Sequence, residues 1–438
     1  MGFMKEWKPL AQRFYFDSFN IDPEAGLVSY VYRTDAGHSF THELTFDFPK
    51  GADVSACAPA AFALGMAELC HYWKAILAPE IIVEAGRLSD EQVAFWQNLY
   101  TKGLGEFFYV NEIDFRDLMH VASGPDAPEI APAALAPASR GVLVPLGGGK
   151  DSLVTGELLK RQGKAFSWFE LEPLPFSGAL KEASGIMASI VMGRDISRNF
   201  GPVIDLVRRG APNGHVPITA TYLFSAALAA AVRGFSDIVL SLERSADVGN
   251  VEYLGATINH QYSKSLEFEV AAAGYLQAHV DHNLRVFSLV RPLYEIQIAR
   301  EFAAYPQYFG SFVSCNKGLK TGTWCGECAK CAFMFAALSA FLPPETVIGI
   351  FKKDLFRDES LVPLYEELIG LHEVKPFDCV GTFEENQLAL YLSAERYRKL
   401  GTELPPVLSK LSVERGAAHL GLLDERGPHR IPADYRTP

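Results

Sequence analysis

Two short stretches of this chain bring together residue types that can do chemistry. The first is Gly147-Gly148-Gly149-Lys150-Asp151-Ser152. Glycines let a backbone turn tightly and approach an anion closely. The helix-like run that follows aims free N–H groups and the positive end of its dipole at that anion. Ser152 adds a hydroxyl donor, so the expected ligand is a phosphate or pyrophosphate. Lys150 is open to two readings, a counter-charge to the phosphates or a solvated surface lysine. The second stretch holds Cys315, Cys325, Cys328 and Cys331, four of seven cysteines within 17 positions. Their spacing suits a tetrahedral zinc site with four thiolate ligands, closed and therefore structural. Thiolate is soft enough to select zinc over magnesium or calcium. An iron–sulfur cluster and free buried thiols remain open at this point.

Strand and helix must alternate around the glycine turn to position it. Val142 to Leu146 reads as a strand, Asp151 to Gln162 as a helix closed by Gly163, and Ala165 to Leu171 as a strand. Val216 to Gly234 reads as a long helix and Asp237 to Leu242 as a third strand. This alternation predicts an α/β fold, a parallel sheet with helices on both faces. Ligands of such sheets bind beyond the carboxyl ends of the strands, where the glycine turn lies. The third strand ends there too, in Glu243-Arg244-Ser245-Ala246-Asp247-Val248-Gly249-Asn250. An arginine in that place clamps a carboxylate or phosphate bidentately, which makes Arg244, Asp247 and Asn250 candidate substrate-binding residues. The other reading is a charged surface loop.

Upstream, residues 14 to 48 alternate partly between apolar and polar and are punctuated by turns, as in an antiparallel meander. Ala60 to Ile76 is helix-like. Ser89-Asp90-Glu91-Gln92 fits a capping box opening a helix through about Tyr100, and Phe107 to Val110 reads as a strand. Residues 123–140, rich in Pro and Ala, read as a linker. It separates an N-terminal α+β domain (1–122) from the α/β domain (141–402), with a loosely packed tail at 403–438. The net charge of −12 over 438 residues argues against nucleic acid as the main partner. The first residues lack the pattern of a signal peptide, and no apolar stretch is expected to span a bilayer, so a cytoplasmic protein with no membrane partner is expected.

The turn fails two phosphate-loop patterns. A Walker A loop has Gly where Val144 stands and Ser or Thr where Asp151 stands, and a dinucleotide fingerprint begun at Gly147 has Gly where Ser152 stands. It matches S-G-G-x-D-S, with Gly147 replacing the first Ser, and so resembles the PP-loop ATP pyrophosphatases, which share the adenine nucleotide alpha hydrolase-like fold. That resemblance implies ATP as cosubstrate. Gly147, Gly148, Gly149, Lys150, Asp151 and Ser152 would cradle its β,γ-pyrophosphate, Mg²⁺ would bridge the phosphates, and Asp151 would anchor loop or metal. It also places Glu170, at the end of the second strand, near the adenosine moiety. The cysteine segment is similar to that of the 7-cyano-7-deazaguanine synthases.

Ser314-Cys315-Asn316-Lys317, Trp324-Cys325-Gly326-Glu327-Cys328, Lys330-Cys331 and Lys375-Pro376-Phe377-Asp378-Cys379-Val380-Gly381 narrow the choice. Together with the glycine turn, over about residues 10 to 400, the chain resembles the UDP-N-acetylmuramoyl-L-alanyl-L-glutamate epimerases of bacterial peptidoglycan precursor synthesis. The implied substrate is a small nucleotide-sugar dipeptide. Its terminal glutamate carboxylate would be adenylated, making the α-proton acidic enough for a base to remove. Asp151, Cys379, Glu243 and His215 are the candidate catalytic residues, with His260 and Glu384 beside them. Glu385 fits a capping box begun by Thr382. A PP-loop amide- or nitrile-forming ligase and a nucleotide-binding protein without activity are the competing readings. The absence of an ammonia-generating motif weakens the first, and the retained Asp151-Ser152 pair weakens the second.

Overall fold

The computed structural model describes residues 7–133, 141–372 and 374–436. Its strands in chain order are β1 (Arg13–Asp22), β2 (Leu27–Thr34), β3 (Ser39–Phe46), β4 (Glu80–Val83), β5 (His120–Ser123), β6 (Gly141–Pro145), β7 (Ser167–Leu171), β8 (Ser189–Arg194), β9 (Phe235–Leu240), β10 (Val251–Tyr253), β11 (Ala256–Ile258) and β12 (Arg285–Ser288). The pair β10–β11 is a separate antiparallel hairpin. The other ten strands form one sheet in the order β12-β9-β6-β7-β8-β3-β2-β1-β4-β5.

The first five of these are mutually parallel, as the βαβ alternation predicts. The expected meander β1-β2-β3 is present and antiparallel. It meets the parallel half edge to edge where β3 pairs antiparallel with β8, Leu44 opposite Arg194 and Phe46 opposite Met192.

Alternate residues of the parallel strands feed two cores, because successive side chains of a strand point to opposite faces. Leu143, Phe169 and Ile238 join a core that also holds Phe14, Tyr32, Trp73 and Phe224. Val142, Val144, Trp168 and Val239 join the other, with Leu153, Phe302 and Phe335. The first core is continuous from Ala11 to Val286, so the segment at 123–140 is not a boundary between cores. Its described portion is tied down, since the Ala133 N–H donates to the Val280 carbonyl at 2.9 Å and the Arg87 N–H to the Pro128 carbonyl at 2.8 Å. Residues 134–140 lie outside the described residues.

Three further expectations are corrected. Phe107 to Val110 is not a strand but belongs to the helix Gly105–Val110, with Phe107 and Phe108 buried. Four apolar residues fit either element, and packing decides. The tail is not loose. Val407, Leu408, Ile431 and Tyr435 are buried, and the Tyr435 hydroxyl donates to Asp237 Oδ2 at 2.5 Å. Last, the helix Val54–Ile76, with 23 residues and a mean hydropathy of 1.3, is long and apolar enough to cross a membrane by length and composition. It is a core helix here, with 78% of its most apolar window buried inside the protein.

That helix carries Glu68 into the first core, fully buried. Arg194 of β8 reaches it, Nη1 to Oε1 at 3.2 Å, and His42 and His71 approach at 3.4 and 3.8 Å. Burial opposes the charge on Glu68, but His42, Arg194 and His71 more than offset it and hold the carboxyl well below its usual range. Removing one partner of a buried pair strands the other charge. Arg194→Ala is therefore expected to lower stability by about 3–5 kcal/mol, read as a lower urea midpoint.

Candidate active site at the switch point of the sheet

Strand β6 is where the strand order reverses, with β7 on one side and β9 on the other. Ligands of open α/β sheets sit in the crevice such a reversal opens. Gly147-Gly148-Gly149 leaves the carboxyl end of β6 into that crevice. Gly148 has φ +79°, and a Cβ there would lie 2.7 Å from Leu174 Cδ1 and 2.8 Å from Phe176 Cε2. A Cβ on Gly147 would meet nothing within 4 Å among the described residues, which leave that side of the turn open. Gly149 caps the helix Lys150–Arg161 without a side-chain hydrogen bond. A cavity of about 260 Å³ begins at this turn and is also lined by Ser241 and Leu242 beyond β9, and by Lys264, Glu295, Lys330 and Cys379.

Charge around the cavity alternates in sign. Lys150 is only 3% exposed, so it is not a solvated surface lysine. Its ammonium lies 2.6 Å from Asp151 Oδ1 and also pairs with Glu295. Burial opposes its charge, but Asp151 and Glu295 outweigh it and hold Lys150 protonated. Burial pushes the Glu295 carboxyl up. Glu243 is buried, and its Oε1 has no hydrogen-bond partner among the described residues. Lys264 holds its ammonium 3.3 Å from Cys379 Sγ. The fully buried Arg291 fixes both neighbours, donating to the carbonyls of Glu243 at 2.7 Å and Lys264 at 2.6 Å and pairing with Glu269 at 2.8 Å. Burial pushes the Cys379 thiol up, but Lys264, Lys330 and His260 overcome this and set it at about 6.

The four clustered cysteines converge, their ligand atoms all within 4.8 Å of one another. Cys315 and Cys328 are 3.9 Å apart, Cys325 and Cys331 3.6 Å, and Cys328 and Cys331 3.5 Å. A tetrahedron of zinc–sulfur bonds of about 2.3 Å has edges of about 3.8 Å, so this donor set fits that ion. The knot adjoins the glycine turn. The Val313 N–H donates to the Gly148 carbonyl at 3.1 Å, and Ser314 and Lys330, each next to a cysteine, line the cavity.

Of the residues singled out from the sequence, Gly147, Gly149, Lys150, Asp151, Ser152 and Cys379 share this cavity. Glu243 sits beside it. Glu170 is buried and paired with Lys181 at 2.6 Å, away from the cavity lining. Arg244 points outward, 4.5 Å from the Tyr294 ring centroid and 3.4 Å from Glu425. Asp247 accepts from the Leu266 N–H at 2.6 Å and lines a second cavity of about 900 Å³, on the other side of the turn Tyr262–Lys264. Asn250 is a clamp, donating to the Pro376 carbonyl at 2.9 Å and accepting from the His260 N–H at 2.9 Å. His215 stands behind His260, with its Nδ1 3.3 Å from Glu106 Oε2. Glu384 is exposed, while Glu385 completes the expected capping box and accepts the Ile296 N–H at 3.0 Å. Sequence reasoning missed Lys264, Arg291, Glu295 and Glu106, and took Lys330 only as part of the cysteine motif without a role in the site. The stretch Val286 to Val290, apolar but for Ser288, was the available signal for two of them, since reading it as a strand places Arg291 and Glu295 at the same sheet edge as the turn.

Fold and site together define an α/β protein with an open glycine turn at a switch point, beside carboxylates, ammonium groups and one thiol. Family models described as the MurL N-terminal domain and the MurL C-terminal domain match residues 5–289 and 311–417. The chain belongs to this family. It is 35% identical to a protein of a Micromonospora species, covering 96% of each chain. It is 33% identical to one of Xanthomonas oryzae pv. oryzae, covering 96% of this chain and 95% of that one, and 35% identical to one of Salinispora tropica, covering 96% and 94%. All three relatives are named UDP-N-acetyl-alpha-D-muramoyl-L-alanyl-L-glutamate epimerase. The N-terminal model ends at residue 289, just past β12, and so takes in the parallel half of the sheet with the meander.

Proposed function

We propose that the chain is an ATP-dependent epimerase that inverts the terminal L-glutamate of UDP-MurNAc-L-Ala-L-Glu, releasing AMP and pyrophosphate, in the cytoplasmic synthesis of peptidoglycan precursors. The observation that carries this reading is one cavity holding both an open glycine turn and a thiol of lowered pKa. The names of the relatives supply the substrate.

A free carboxylate disfavours a second negative charge at its α-carbon. Joining it to AMP removes the first charge and turns the carbonyl into an electron sink. The main-chain N–H groups of the turn and the start of the helix Lys150–Arg161 hold the β,γ-phosphates, following the PP-loop resemblance. Asp151 would hold Mg²⁺ there, and the ion would supply charge neutralisation for displacement at the α-phosphorus. Asp151 suits that ion because it engages Lys150 through Oδ1, leaving Oδ2 to face a hard cation. Lys264 and Lys330 supply the remaining positive charge. Cys379, poised as a thiolate near neutral pH, takes the α-proton while the C–H electron pair passes into the acyl carbonyl. Return of a proton on the other face and hydrolysis of the anhydride complete the inversion. The larger cavity beyond Tyr262–Lys264 gives room for the nucleotide-sugar portion. Cys315, Cys325, Cys328 and Cys331 would hold a structural zinc, which would fix the neighbouring Ser314 and Lys330.

The test is incubation with Mg-ATP and UDP-MurNAc-L-Ala-L-Glu in deuterated water. AMP, pyrophosphate, D-glutamate in the product and deuterium at its α-carbon are expected together. AMP without inversion would assign a ligase instead, and neither AMP nor inversion would leave a binding protein.

A further inference from the structure

We propose that Glu106 and His260 act as a charge-holding pair behind Cys379, keeping it a thiolate when a nucleoside triphosphate fills the cavity. This rests on Cys379 being the base named above. Three cations face that thiol, Lys264, Lys330 and His260. Lys264 and Lys330 line the cavity, so incoming phosphates compete for their charge. His260 does not line it. Its Nδ1 pairs with Glu106 Oε2, and its ring lies 6.4 Å, centroid to centroid, from that of Phe377, two residues before Cys379, so its charge reaches the thiol from outside the cavity lining.

The pair is built in. Glu106 comes from the helix Gly105–Val110, in the meander half of the molecule, and its Oε2 faces Nδ1 of two imidazoles that pack on each other with ring centroids 4.6 Å apart. Burial and the charge of His260 push His215 down to about 4, so His215 is a neutral partner to Glu106 and not a rival cation. Asn250 binds the backbone of His260 and that of Pro376 at once, so ring and thiol ride on one clamp. The remaining charged groups nearby are otherwise engaged. Asp378 pairs with Asn316, while Glu243, Asp151 and Glu295 face Lys264. Lys375 is buried, which pushes it down.

Burial lowers His260, yet Cys379 and Glu106 more than reverse this and raise it to about 9. Thiolate and imidazolium therefore coexist between about 6 and about 9. Glu106 and His260 are positioning residues, acting on the substrate only through Cys379.

The experiment is alkylation of Cys379 by iodoacetamide in the full chain, followed by peptide mass spectrometry across pH, with and without Mg²⁺ and a non-hydrolysable ATP analogue. The wild-type inflection is expected near pH 6 and below about 7 with the analogue bound. In His260→Gln it rises by about one pH unit or more, a tenfold loss of thiolate on its acid side, and further with the analogue. Glu106→Gln is expected to bring the alkaline limb of kcat/KM down by about one unit, with Glu106→Asp restoring it. An inflection in the ordinary thiol range in the wild type overturns the proposal, and this holds even if His260→Gln fails to fold. So does an unchanged inflection in a folded His260→Gln protein, a Glu106→Gln protein that loses activity with an unmoved alkaline limb, or a metal ion bound in the wild type and lost in Glu106→Gln. Alkylation needs no substrate, so its failure leaves the epimerase reading standing. Normal alkylation without deuterium exchange sinks that reading and not this pair.

Discussion

Asp151→Ala protein is expected to fold normally and to release AMP and pyrophosphate at least about 10³-fold more slowly than wild type. Asp151 is the cavity-facing carboxylate of the turn, more exposed than the buried Glu295 and Glu243. Its loss removes the donor best placed for a divalent cation and leaves Lys150 paired with Glu295 alone. The fold has little at stake, since the Asp151 carboxylate takes its hydrogen bond from Lys150, its neighbour in sequence, and among the described residues ties no distant element. The measurement is pyrophosphate release at saturating Mg-ATP and substrate, with circular dichroism as the control for folding. Near-normal turnover would remove the phosphate-loop assignment. Glu295→Gln separates the two carboxylates. It disturbs a buried ion pair, so it is expected to cost stability as well as rate.

The elements around Asp151 were legible because their signals are local. Val142 to Leu146 is an apolar run stopped by glycines, and the helix after it is amphipathic. Ser89 and Thr382 each begin a four-residue capping pattern, and both boxes are present. The cysteine knot was legible for the same reason, three of its thiols lying within seven positions. What was not legible depends on chain folding back from afar. Glu106 meets His260 across 154 positions, and Lys264 meets Cys379 across 115. A lone lysine or glutamate carries no spacing that marks it for a site.

The joining of β3 to β8 has the same character. Nothing in either strand names its partner, and only the shared core from Ala11 to Val286 shows why the two halves are one body. Arg244 and Glu170 failed in the other direction. Each stands at the expected sheet edge, but Tyr294, Glu425 and Lys181 take them up, and sequence position does not say which way a side chain turns.

Cys328→Ser protein is expected to carry almost no zinc where the wild type carries one ion per chain, and to lose most of its activity with it. A hydroxyl is a far poorer ligand than thiolate for a borderline-soft ion, and three remaining sulfurs leave the tetrahedron open. Structural zinc binding contributes on the order of 10 kcal/mol to folding of the segment that holds it. Its loss should therefore loosen the stretch from Cys315 to Cys331 before the rest of the chain. That stretch holds two cavity residues in place, Ser314 beside one ligand and Lys330 beside another. Gly149 leaves only 3.3 Å between a would-be Cβ and Ser314 Cβ, so a shift of the knot is felt directly at the glycine turn. Metal analysis of purified protein, with proteolysis of the Cys315 to Cys331 segment as the structural readout, checks this. Cys57→Ser is the control. That thiol is buried in the other core, so its replacement should leave metal content unchanged. Iron in place of zinc would turn the knot into a cluster site, and unchanged metal in Cys328→Ser would dissolve it altogether.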